Sequence, residues 1–69
     1  MATRIKVTFS ECEHDGDMEN YADDIRSCGG KIISTSVNPD AEEGTAVFEV
    51  EDKATFVEKF KQTDSYGFI

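Results

Sequence analysis

The stretch Gly16–Val37, GDMENYADDIRSCGGKIISTSV, changes its hydrophobic period halfway along, and that change decides the fold class. In its first half Met18, Tyr21, Ala22, Ile25 and Cys28 fall at i, i+3, i+4, i+7 and i+10, one stripe of an amphipathic helix. Asp15 or Asp17 is placed to cap the start, and Gly29-Gly30 to end it through a left-handed turn. After the glycines the β-branched run KIISTSV reads as a strand, with Ile33, Thr35 and Val37 expected on its inner face.

Working outward, the upstream segment RIKVTFS alternates Ile5, Val7 and Phe9 against Arg4, Lys6 and Thr8, as a half-buried strand does. Downstream, NPDAEEG holds the residues of a turn, with Pro39 fixing its φ. TAVFEVE then alternates Ala46, Phe48 and Val50 against Val47, Glu49 and Glu51. Asp52 is placed to cap a second helix, KATFVEKFKQT, whose apolar side is Phe56, Val57 and Phe60. The closing SYGFI is expected as a short strand carrying Tyr66 and Phe68. The order βαββαβ predicts an α+β, ferredoxin-like domain spanning residues 1–69. In it a four-stranded antiparallel sheet, order 4-1-3-2, carries two helices on one face.

The chain of 69 residues is one small domain at most, and its five Phe rings make the most of a modest apolar fraction. No apolar run approaches the ~20 residues of a membrane span. MATRIKVTFS also lacks the apolar core of a signal peptide, so the cytoplasm is the expected location. If a helix separates Cys12 from Cys28, at ~1.5 Å rise per residue they lie more than ~13 Å apart, too far for a disulfide.

Fifteen acids against seven bases give a net charge of −8, which repels nucleic acid and anionic membrane and attracts basic proteins. In the predicted topology the loop after the first strand and the hairpin between the second and third emerge at one end. Glu11, Glu13, Asp15, Asp17 and Glu19 should therefore lie near Asp40, Glu42 and Glu43, with Asp64 close by and Lys59 and Lys61 offsetting them in part. Acids in a first helical turn gain from its dipole, which accounts for Asp15, Asp17 and Glu19. It does not account for Glu11, Glu13 or the hairpin acids.

Specific chemistries fare poorly. Glu11-x-Glu13-x-Asp15-Gly16 opens like an EF-hand loop, but the twelfth position, which needs a bidentate Glu, is Ala22. Cys12-x-His14 with Asp15 offers three ligands from one short loop and no fourth elsewhere, so no metal or other cofactor is expected. As a nucleophile Cys12 is disfavoured by the carboxylates around it, and no Arg clamp, phosphate loop or catalytic triad is visible. No enzyme is expected. The side chains expected on the open sheet face (Arg4, Lys6, Thr8, Ser34, Ser36, Val47, Glu49 and Glu51) include no ring on which RNA bases would stack. Lys6 and Glu49 are expected to pair across neighbouring strands.

Two resemblances follow. HDGDMENYADDIRSCGGKIISTSV with GTAVFEVED resembles the ACT family of small-ligand regulatory domains, which implies ligand sensing. An acidic loop would repel the carboxylate of an amino-acid ligand. The βαββαβ order, with carboxylates at Glu11 to Asp24 and Asp40 to Glu43, also resembles small phage-encoded inhibitors, in particular anti-CRISPR proteins. That likeness implies a DNA mimic acting in the host cytoplasm; separately, a monomer is expected rather than a dimer. Such a mimic would bind a basic nucleic-acid-binding protein or effector complex, such as CRISPR-Cas, through Glu11, Glu13, Asp15, Asp17, Glu19, Asp24, Asp40, Glu42 and Glu43. A generic protein-interaction adaptor is the alternative.

Overall fold

Strand β3 (Glu43–Val50) organises the protein, because its alternation puts Gly44, Ala46, Phe48 and Val50 on a buried face. In a computed structural model, which describes residues 2–69, it lies between β1 (Thr3–Ser10) and β2 (Lys31–Asn38), antiparallel to both. Helices α1 (Asp15–Ser27) and α2 (Lys53–Phe60) bring their apolar stripes to that face. Phe9 stacks on Tyr21 of α1 with ring centroids 4.4 Å apart, and Phe48 meets Phe56 of α2 at 5.1 Å. Met18, Tyr21, Ala22, Ile25 and Cys28 are all buried, as the helical spacing requires. Gly29 takes φ 102° after α1, a left-handed turn that costs other residues a steric clash. Both cysteines are free thiols. Among the described residues no helix is long and apolar enough to cross a membrane.

The fold departs from the four-stranded expectation at its last element. The sheet has three strands in the order β1-β3-β2, and residues Asp64–Phe68 form a 3-10 helix instead of a fourth strand. A 3-10 helix repeats every three residues, so Ser65 and Phe68 share a face. Ser65 is buried there, donating its hydroxyl to Asp24, and Phe68 packs against Tyr21 at 5.8 Å. A strand would have grouped Tyr66 with Phe68. Tyr66 is instead 44% exposed, with an edge contact to Phe60. The domain is α+β, but it is not the ferredoxin-like sheet.

Three smaller corrections share one theme, local geometry that a simple period does not carry. A β-bulge between Ile32 and Ser34 turns Ile32 inward opposite Phe48 and leaves Ile33 44% exposed, so Ile33 is not an inner residue. The register pairs Arg4, not Lys6, with Glu49, and their charged groups lie 3.6 Å apart; Lys6 sits opposite Val47. Helix α2 stops at Phe60, short of Thr63, whose hydroxyl donates to the Phe60 carbonyl at 2.7 Å.

Candidate functional site

The two acidic bends do converge, and they are bonded to each other. Ser10 and Asn38 both lie opposite Glu43 in the sheet, so the loop leaving β1 and the β2–β3 hairpin start side by side. The Cys12 N–H then donates to the Glu42 carbonyl at 3.0 Å. Beneath that bond Cys12 is fully buried and faces Gly44, where a Cβ would come within 2.5 Å of its sulfur. The Met18 side chain closes the same spot. A glycine at 44 is what lets the loop approach the hairpin this closely.

The backbone at the two bends is unusual. Glu11 (φ 53°) and Glu42 (φ 55°) are the only non-glycine residues with positive φ among the described residues. That conformation costs an ordinary L-residue roughly 1–2 kcal/mol, and glycine or asparagine is its usual occupant. Here both positions carry glutamate, exposed, one on each bend. Tyr21 holds the first bend from below, its hydroxyl donating to the Ser10 carbonyl at 3.0 Å and lying 3.4 Å from that of Glu11. Its phenol is pushed up in pKa by burial and then by the nearby Cys12, Asp17 and Glu11 charges.

The remaining candidates divide by what already engages them. Glu11, Glu13, Asp15, Asp40, Glu42 and Glu43 are exposed and form no ion pair among the described residues. Asp17 is partly committed: it accepts from the Glu13 N–H at 3.0 Å and faces His14 at 3.6 Å. Glu19 and Asp23 share Arg26, at 2.9 and 3.1 Å, along the side of α1. Asp24 binds Ser65. Asp24 is therefore a fastener for the C-terminal segment. Asp64 joins the acidic side of α1, walling a cavity of about 470 Å³ with Asp17, Asp23 and Asp24 over the Tyr21 and Phe68 rings. Lys59 does not offset the pole: it lines a separate hollow with Cys28, Val50 and Asp52.

Two features escaped the sequence reading. The cap of α1 is His14, whose Nδ1 accepts from the Asp17 N–H at 3.3 Å, and neither Asp15 nor Asp17 fills that role. The sequence signal was present, since His14 directly precedes the acidic first turn, but histidine is not among the usual capping residues. The second is the Cys12–Gly44 contact, which depends on tertiary register alone. Cys12 itself is no exposed nucleophile: burial, followed by the Asp17 and Asp15 charges, pushes its thiol pKa up. Among the described residues no three of His, Cys, Asp and Glu come together as metal ligands. Comparison of the chain with known protein families, with curated proteins and with solved structures finds no match.

Proposed function

We propose that this protein is a non-enzymatic acidic blocker that docks its carboxylate-rich pole onto the basic nucleic-acid-binding surface of another protein. One observation carries the reading. Glutamates occupy the two left-handed positions, on two bends fastened to each other by the Cys12–Glu42 hydrogen bond. Strain retained at a surface where glycine would be cheaper points to a requirement for the side chain. The pole then presents Glu11, Glu13, Asp15, Asp40, Glu42 and Glu43 on backbone that is held rather than loose.

The physics is that of a polyanion's partner. Duplex DNA carries one charge per ~1.7 Å of axis, and proteins that bind it line a groove with Lys and Arg. A rigid anionic pole competes for those cations, is steered to them at long range, and is released by salt. An anti-CRISPR protein acting on a CRISPR-Cas effector is the narrower instance of this proposal, and it draws on the same carboxylates alone, since the chain does not adopt the βαββαβ order behind that likeness. The ACT-like alternative is the weaker reading because the acidic bends would repel the carboxylate of an amino-acid ligand.

The test is capture of partners from bacterial lysate with the tagged protein at low and high salt, followed by competition with duplex DNA. The expected result is a nucleic-acid-binding protein, released by salt and displaced by DNA. Its capture should be lost with the triple variant Glu13→Gln, Glu42→Gln, Glu43→Gln. Undiminished capture by that variant, or a partner that duplex DNA does not displace, overturns the proposal.

A further inference from the structure

The side of β1 away from β3 is an open sheet edge. Among the described residues β1 pairs only with β3, and no other backbone–backbone hydrogen bond reaches Thr3 to Ser10; a side chain, the Tyr21 hydroxyl, takes the Ser10 carbonyl at its far end. The C-terminal 3-10 helix blocks just the far end of that edge, where the Ser10 hydroxyl donates to the Phe68 carbonyl at 2.9 Å. The rest is regular: eight consecutive pairs with β3, and neither bulge nor proline, in contrast to β2 with its bulge at Ile33. Ile5 and Val7 face the core but remain only half-buried, as an apolar row does when its strand lacks a neighbour. Unpaired N–H and C=O groups beside a partly covered apolar row are the template for strand addition.

Charge selects the occupant. At the start of β1 the outward-facing side chains are Arg4 and Lys6; Arg4 already faces Glu49 of β3 at 3.6 Å, whereas Lys6 lies opposite Val47 and forms no ion pair among the described residues. A second copy is a poor occupant. Antiparallel self-pairing over the unblocked part of β1 brings Arg4 or Lys6 opposite Arg4 or Lys6 of the other copy, and like charges directly opposed are destabilising. The acidic pole does not cancel this local charge, because Lys6 and Ser10 are separated by roughly 13 Å at ~3.3 Å per residue. The screening length is only about 8 Å at physiological salt.

We infer that the free edge of β1 accepts an extended segment of a partner protein whose side chains alternate between acidic and apolar. The apolar set would extend the row of Ile5 and Val7, and the acidic set would lie beside Arg4 and Lys6. This surface is separate from the acidic pole and stands whether or not the pole blocks a nucleic-acid-binding protein.

The probe is a synthetic alternating Glu-Val octapeptide, titrated into the full chain labelled with nitrogen-15, with a Lys-Val octapeptide as counterpart. The expected result is slowed amide exchange at alternate residues between Thr3 and Thr8 with the Glu-Val peptide only. Lys6→Glu should weaken that binding about tenfold, while Lys6→Gln, which keeps the side chain's size, should weaken it less. Exchange unchanged in β1, protection in β2 instead, equal binding of the Lys-Val peptide, or insensitivity to Lys6→Glu each overturns the inference. So does a dimer by sedimentation without peptide whose interface protects β1, since it assigns the edge to a second copy.

Discussion

Glu42 shows what a single residue contributes and what it costs. Its φ of 55° crowds its β-carbon toward the preceding peptide carbonyl, and its N–H closes the turn by donating to the Pro39 carbonyl at 3.2 Å. Replacing it with glycine removes the steric penalty but gives the unfolded chain more freedom, so the two effects partly cancel. Glu42→Gly is expected to stabilise the fold by about 0.5–1 kcal/mol, read as a higher urea midpoint with an unchanged slope. A lower midpoint would mean that the glutamate side chain holds the hairpin, and the argument from retained strain would lose its basis. This residue also marks where sequence reading stops. The acids were visible as composition, and their convergence followed from strand order. The left-handed backbone under two of them was not, because glutamate carries no signal for that conformation.

At the scale of elements, the two helices differ in how well their beginnings could be read. Asp52 precedes α2 with the usual capping residue, and its carboxylate accepts from the Thr55 N–H at 3.2 Å. That backbone bond, then the Thr55 hydroxyl, lowers the Asp52 pKa from the ordinary aspartate value. A carboxylate with a depressed folded pKa stabilises fully above its unfolded value, about 3.9, and loses that contribution as pH falls through the lower folded value. Asp52→Asn keeps an acceptor at the cap but removes the titration. Urea midpoints of the variant should therefore fall less steeply than the parent's below about pH 4. Parallel curves would show that the cap charge does not contribute. The α1 cap and the C-terminal segment were harder. His14 lies outside the usual capping set, and SYGFI is too short for a period of two to be told from a period of three. Ser65 decided the matter by finding Asp24, a partner 41 residues away. The β2 phase failed for a related reason, since one bulge at Ile33 shifts one end of the strand; beyond it Val37 packs on the core opposite Gly44, while Thr35, opposite Ala46, remains exposed.

For the molecule as a whole, the question is which electrostatic effect dominates stability. The exposed ion pairs, Arg26 with Glu19 and Asp23 and Arg4 with Glu49, are held in solvent, contribute little and weaken with salt. Opposing them is the repulsion of a chain of net charge −8. Six unpaired carboxylates (Glu11, Glu13, Asp15, Asp40, Glu42 and Glu43) sit on two bends held together by the Cys12–Glu42 bond, and unfolding lets them separate. Repulsion has more members and less opposition, so salt should stabilise. Raising sodium chloride from about 10 mM to about 0.5 M shortens the screening length from ~30 Å to under ~8 Å. It should raise the melting temperature by several degrees, given that about 1 kcal/mol moves a domain of this size by roughly 4–8 °C. The variant Glu13→Gln, Glu42→Gln, Glu43→Gln should melt higher at low salt and respond to salt less. A melting temperature that falls with salt would mean the attractive pairs outweigh the pole. The protein would then store no electrostatic strain for a basic partner to relieve.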